Sequence, residues 1–359
     1  MKLANMESSR VILLATAVLA FAGSAAGQQN VPLGHTPESP FDLSPANPLP
    51  LGTATGAPVA CPNNSGSLLG TCYQITVSGC PNPAEVPTAT IKVISPKGTP
   101  KGTVTLATGY GSSGFYEAQF TYGAMIASGV AAAGFTAVET SFGGKYGWMT
   151  NGNPGGPKSD VCQFGTVTEW VYENIHQVGA SAPLCATGVS GGASAIAFML
   201  SQYGFGTSAS SPFYSMVEMD SGPPFGRIDV GCNGSSPSVY TFACQLTIDP
   251  NYVSSAQGLV DSAFDNTDCS QHNLSERQAW LDGSNAAPDA VYAFPSTDVH
   301  LLFGGQDSSA APALAQYWSA KVTTKCSVGC VKDAGHLMPD TLDAAERILH
   351  DLSAYCKLQ

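Results

Sequence analysis

Gly188-Val189-Ser190-Gly191-Gly192 is the only G-x-S-x-G in the chain. A serine that attacks an acyl carbon must project from a sharp strand-to-helix turn, and small residues on both sides let the backbone make that turn without clashes. The pentapeptide sits at such a junction, between a strand-like run from Leu184 to Val189 and a helical run from Ala193 to Tyr203. Serine is a weak nucleophile until a base takes its proton, and imidazole exchanges protons near neutrality. Of the 6 histidines, His35 lies in a Pro-rich stretch, His176 and His350 in helical runs, His272 in an irregular interval, and His300 opens a strand. His336 alone follows directly on a strand, in Asp333-Ala334-Gly335-His336, where a loop can present the ring to the serine. An acid must then hold that ring. Asp307 ends Phe303-Gly304-Gly305-Gln306-Asp307, just past another strand, and Asp220 ends the strand after the elbow helix. Asp307 is the favoured acid and Asp220 the alternative, because Gly304-Gly305 leave room for a turn towards the His336 loop, whereas Asp220 leads into Ser221-Gly222-Pro223-Pro224.

The elements around these residues alternate. Strands are expected at Tyr73 to Val77, Thr90 to Ile94, Thr103 to Ala107, Thr136 to Thr140, Leu184 to Val189, Tyr214 to Met219, Val299 to Phe303 and Val328 to Lys332. Helices are expected between them, near Glu117 to Ala132, Phe164 to His176, Ala193 to Tyr203, Ala311 to Ala320 and Thr341 to Tyr355. Such alternation argues for an α/β fold, a mostly parallel sheet with helices on both faces. The interval 221–297, rich in Gly, Ser, Pro and Asn, breaks the rhythm and offers short helices near Ser255 to Phe264 and Glu276 to Leu281.

Residues 1–27 carry Lys2 and Arg10, an apolar run from Val11 to Phe21 and then small residues, the pattern of a secretory signal. The run is too short to cross a bilayer, so stable membrane insertion is not expected. Residues 28–60, with seven prolines from Pro32 to Pro58, read as a flexible leader, and the folded domain is expected over 61–359. A net charge of −12 argues against nucleic acid as a partner. The 11 cysteines of an exported chain read as disulfides. Without paired Cys-x-x-Cys steps or His-Glu-x-x-His, neither a metal nor another cofactor is inferred.

Ser190, Asp307 and His336, in the chain order nucleophile, acid, histidine, resemble the α/β-hydrolase superfamily over roughly Tyr73 to Cys356. The resemblance implies a serine hydrolase acting through an acyl-enzyme on a small-molecule or polymeric ester. An amidase or peptidase on the same fold, or a non-catalytic binding protein, are the alternatives, and oligomeric state is left open. The Gly109-Tyr110 pair after the third expected strand is similar to that of secreted cutinase-like, polyester-degrading hydrolases, although the family's His-Gly pair is replaced. This likeness implies an oxyanion hole from the backbone N–H groups of Tyr110 and Gly191. It also implies that 221–297 caps the nucleophile, with Trp280, and Trp148 from an earlier loop, as candidate pocket walls beside Tyr110. Because the last helix should run back along the last strand, Cys356 is expected to pair with Cys326. Cys232 is expected to pair with Cys244, and Cys185 to be the free thiol.

Overall fold

The computed structural model of the chain describes residues 48–81, 88–144, 146–149, 155–176, 178, 181–208 and 212–358. The expected signal segment and residues 28–47 of the expected leader lie outside the described residues. Among those described, no helix is long and apolar enough to cross a membrane.

The strands are β1 (Thr53–Val59), β2 (Thr71–Ser78), β3 (Thr88–Ile94), β4 (Thr103–Ala107), β5 (Thr136–Phe142), β6 (Leu184–Val189), β7 (Met216–Asp220), β8 (Val239–Thr241), β9 (Leu246–Ile248), β10 (Asp298–Gly304) and β11 (Cys326–Val331). Nine of them form one sheet in the order β1-β2-β3-β5-β4-β6-β7-β10-β11, and β8 pairs with β9 as a separate hairpin. From β5 to β11 all neighbours are parallel, while β1, β2 and β3 add an antiparallel edge. Strand order reverses around β4, with β5 on one side and β6 on the other, and the carboxyl ends of strands at such a switch point are where ligands bind in α/β sheets.

Every residue of β4, β6, β7 and β10 is buried, as strands covered on both faces must be. One face packs on helices Cys162–Asn174, Gly191–Gln202 and Ala311–Ser319, through residues such as Trp170, Ile196 and Trp318. The other packs on helices Gly123–Ala132 and Leu342–Tyr355, through Ile126, Val130, Ile348 and Leu352. Each strand divides its side chains accordingly, so that Val217 and Met219 of β7 join the first core and Met216 the second.

The second face has one polar level. Lys92, Glu139, Leu106, Thr187, Glu218 and His300 are successive register partners across β3, β5, β4, β6, β7 and β10, and only Leu106 is apolar. All six are buried. Lys92 pairs with Glu117, and Glu139 Oε1 accepts the Glu117 backbone N–H at 2.7 Å.

The leader proves shorter than expected. Residues 53–59 form β1, an edge strand that admits Pro58 because its outer side needs no ladder bond. No alternating pattern announces this strand. It is held by pairing with β2 and by Gly56, whose missing side chain gives room to the Trp170 ring. Disulfides join Cys61 to Cys72, Cys80 to Cys162, Cys185 to Cys356, Cys232 to Cys269 and Cys244 to Cys330, leaving Cys326 free. The expected Cys326–Cys356 pair is therefore wrong. The last helix turns Ala344, Ile348 and Leu352 into the core built on Gly123–Ala132, which carries its end across to the start of β6 and Cys185. The strand Leu184–Val189 is where the sequence places it, and the error concerns only the helix above it. Cys244 is drawn away from Cys232 because the β8–β9 hairpin lies over the far strands, with Cys244 Sγ 3.5 Å from the Phe303 carbonyl.

Burial pushes the Glu139 carboxyl up to about 8, helped by the nearby Glu117 and opposed by the Glu117 N–H bond and Lys92. A carboxyl whose folded pKa is raised stabilises the fold fully below its unfolded value of about 4.5 and loses that contribution as pH climbs through about 8. The melting temperature measured by calorimetry is expected to fall between pH 5 and pH 9, and Glu139→Gln to flatten that fall by on the order of 5 °C.

Candidate active site

Ser190 sits between the end of β6 and helix Gly191–Gln202 with φ 53° and ψ −113°, a conformation few non-glycine residues adopt. Its neighbours make the turn possible. A Cβ on Gly188 would lie 2.6 Å from the Gly192 carbonyl carbon, and one on Gly192 would lie 2.7 Å from the Thr108 oxygen. The Ser190 N–H donates to the Asp220 carbonyl at 2.9 Å, and its own carbonyl accepts from the Ser194 N–H at 3.0 Å. The hydroxyl is thereby held above the carboxyl edge of the sheet.

His336 meets it there. Nε2 lies 3.0 Å from Ser190 Oγ, and Nδ1 lies 2.9 Å from Asp307 Oδ2. With Nδ1 carrying the proton, the ring donates to Asp307 and accepts from the serine. The glycines after β10 permit this approach, because side chains on Gly304 and Gly305 would strike the backbone at Gly335, Ala334 and Lys332. The Gln306 N–H, donating to the Ala334 carbonyl at 2.9 Å, joins the two loops.

Ser309 completes the group and was missed in the sequence. Its N–H donates to Asp307 Oδ1 at 2.9 Å, and its Oγ lies 3.1 Å from His336 Nδ1. The available signal was its place two residues after an aspartate, where a backbone N–H closes a turn on the carboxylate. Asp307 is buried, which alone would raise its carboxyl, but the hydrogen bond and charge of His336 and the two Ser309 bonds hold it below the ordinary range.

Asp220 does not reach the histidine. Its Oδ2 accepts from Thr187 Oγ1 at 2.9 Å on the second face of the sheet, and burial pushes its carboxyl up to about 8. The backbone of Asp220 supports the elbow while its side chain points into the interior, away from His336.

Tyr110, Gly111 and Ser112 follow β4 with φ of 47°, 69° and 59°, a left-handed run that wraps the backbone around the elbow. A Cβ on Gly191 would stand 3.2 Å from the Tyr110 nitrogen. The backbones of the two residues expected to share an oxyanion thus lie against each other. The loop is pinned by the Trp148 N–H, which donates to the Gly111 carbonyl at 2.8 Å.

A cavity of about 280 Å³ opens over Ser190 and His336, walled chiefly by Tyr110, Phe225, Tyr252, Ala256, Leu259 and Leu337. Four of these six come from the interval 221–297, and among the described residues no carboxylate, lysine or arginine lines the space. Trp148 and Trp280 are not wall residues. Both are fully buried in the first core, where a large ring gains most by leaving water, and the aromatic walls are Phe225 and Tyr252 instead.

No protein-family model and no curated protein sequence matches the chain. Among solved structures, an acetyl xylan esterase from Paenibacillus sp. R4 superposes with a TM-score of 0.51 at 15% identity, over 86% of this chain and 90% of that one. The acylaminoacyl peptidase of Pyrococcus horikoshii superposes with a TM-score of 0.50 at 10% identity, over 80% of this chain and 48% of that one. Mouse alpha/beta hydrolase domain-containing protein 10 is similar at a TM-score of 0.46 and 11% identity, over 76% and 96%. The narrower likeness to cutinase-like enzymes rests on Gly109-Tyr110 alone. Strand order, the elbow at the end of β6 and the loops that follow β7 and β10 together mean that the chain has the α/β-hydrolase fold.

Proposed function

We propose that the chain is an exported serine hydrolase of carboxylic esters, with Ser190 as nucleophile, His336 as base and Asp307 as the acid that orients it. The observation that carries this reading is the continuous relay of 3.0 Å and 2.9 Å contacts from Ser190 through His336 to Asp307, opening into the cavity. His336 Nε2 takes the hydroxyl proton as Ser190 Oγ bonds to the ester carbonyl carbon, and the carbonyl oxygen gathers the negative charge between the N–H groups of Tyr110 and Gly191. As the intermediate collapses, His336 returns the proton to the departing alcohol. Water then attacks the acyl-enzyme by the same route and frees the acid. Asp307 keeps Nδ1 protonated and stabilises the imidazolium without itself taking the proton.

An ester is favoured over a peptide by the cavity walls, which among the described residues hold no charged group to anchor an amino or carboxylate terminus. The acyl group therefore rests against Phe225, Tyr252 and Leu259, and an uncharged acyl chain fits. Export is supported by the signal-like segment and by five disulfides, which form and persist in oxidising compartments.

A fluorophosphonate probe is expected to label Ser190, and Ser190→Ala to lose both labelling and turnover. A panel of p-nitrophenyl esters and aminoacyl anilides is expected to show hydrolysis of the esters alone. Anilide cleavage at comparable rates would move the assignment to an amidase.

The acid is tested by isosteric substitution. Asp307→Asn is expected to lower kcat by orders of magnitude, about 10⁴ in the best-studied triad, because the ring would be held in the wrong tautomer. Asp220→Asn is expected to change kcat less than about tenfold, since its carboxyl already carries a proton near neutrality. Ser309→Ala, which removes the hydroxyl but keeps the backbone donor, is expected to fall between the two. The reverse order for the two aspartates in steady-state kinetics would exclude the relay as drawn.

A further inference from the structure

Glu218 of β7 and His300 of β10 are register partners on the second face of the sheet, and Asp351 of helix Leu342–Tyr355 descends on the same place. One donor atom from each of the three lies within 4.8 Å of the other two, and all three residues are buried. Neither carboxylate oxygen of Glu218 has a hydrogen-bond partner among the described residues, although Glu218 is 0% exposed. We propose that Glu218, His300 and Asp351 bind one divalent cation of the zinc type.

The electrostatics of this pocket call for a cation. A buried carboxylate without partners carries a desolvation cost of several kcal/mol, which proteins offset by holding a proton, by pairing or, where several donors converge as here, by a metal that displaces the proton. Here Glu218, Asp220 and Asp351 lie close together, and Asp220 Oδ1 is unpartnered as well. Against them stands Arg347, 37% exposed, whose Nε is already taken by Asp351 Oδ2 at 2.7 Å. His350, at the solvent edge, places Nδ1 2.9 Å from Asp351 Oδ1. Lys325 is spent on Asp298 at the far end of His300, and the Tyr355 ring packs 4.8 Å from the imidazole.

The donor set selects the ion. One imidazole with two carboxylates suits zinc, whereas calcium takes six to eight oxygens and seldom a nitrogen. A tetrahedral ion about 2.1 Å from each donor sets the donors about 3.4 Å apart, so the side chains draw in by about an ångström on binding. A supporting shell already exists. His300 Nε2 lies 3.2 Å from Asp298 Oδ1, and Asp351 is held by Arg347, the outer contacts that orient metal-bound imidazole and carboxylate. The ion would tie β7 and β10 to the last helix, whose end is already fastened to β6 by Cys185–Cys356. Residues 218, 300 and 351 come from three separated elements, so no compact sequence motif announces them.

The test uses the full secreted chain, stripped with chelator and then titrated with Zn²⁺, with calorimetry for stoichiometry, differential scanning calorimetry for stability and Co²⁺ absorption for ligand type. The expected result is one Zn²⁺ per chain, a melting temperature raised by several degrees, and Co²⁺ bands of nitrogen and oxygen ligation. Glu218→Gln and His300→Gln are each expected to lose at least tenfold in affinity while still reacting with the fluorophosphonate probe. A wild-type chain that takes up no Zn²⁺, that responds only to Ca²⁺, or that binds Zn²⁺ as well after His300→Gln would overturn the assignment. None of these readouts depends on which bond the enzyme cleaves.

Discussion

The turn at Ser190 is the constraint on which the rest of the carboxyl edge depends. Holding an L-residue at φ 53° costs on the order of 1–3 kcal/mol and persists only when the surroundings over-determine it. Here they do so from three directions: β7 accepts the serine N–H, the first turn of helix Gly191–Gln202 binds its carbonyl, and the β4 loop closes over Gly191 and Gly192. The same three contacts decide where the hydroxyl points. They aim Oγ at the His336 ring and set the Gly191 backbone against that of Tyr110, so the hydroxyl and both backbone segments are fixed by one turn.

The parts of this arrangement that were legible in the sequence are those that rest on local backbone demands. Gly188 and Gly192 announce the elbow around Ser190 because a side chain at either would strike backbone, and Gly304-Gly305 announce the bend that brings Asp307 to His336 for the same reason. What stayed hidden depends on long-range packing. Strand β1 has no apolar alternation and exists because β2 and Trp170 offer it an edge. Trp148 and Trp280 have the composition of pocket walls, yet burial of a whole indole in the core outweighs their placement near the nucleophile, and smaller residues form the wall. The cysteine pairs failed on the same ground, since the direction of the last helix is set by which core it covers and not by the strand it follows.

Asp307 and Asp220 show how two carboxyls near one site are assigned opposite states. Both are buried near the carboxyl ends of strands, Asp220 as the last residue of β7 and Asp307 three residues past β10, but the number of donors differs. Asp307 receives His336 and the Ser309 N–H, with the Ser309 hydroxyl beside them, enough to overcome the desolvation that would otherwise protonate it. Asp220 receives one neutral hydroxyl, from Thr187, and keeps its proton near neutrality. Environments that push paired titratable groups apart are the usual mark of an acid–base assignment. The difference follows from the sheet itself. A side chain that leaves the strand beyond its last ladder bond meets loop amides and the histidine, whereas one still inside the ladder, as Asp220 is in register with Val189 and Leu302, can only turn to the polar level below. That level is a cross-strand row, so each acid on it has neighbours fixed by register, and while Glu139 still receives one backbone N–H, from Glu117, neither oxygen of Glu218 has a partner among the described residues. The fold thereby separates two populations of ionisable groups, one at the carboxyl edge beside the cavity and the other between the sheet and the last helix.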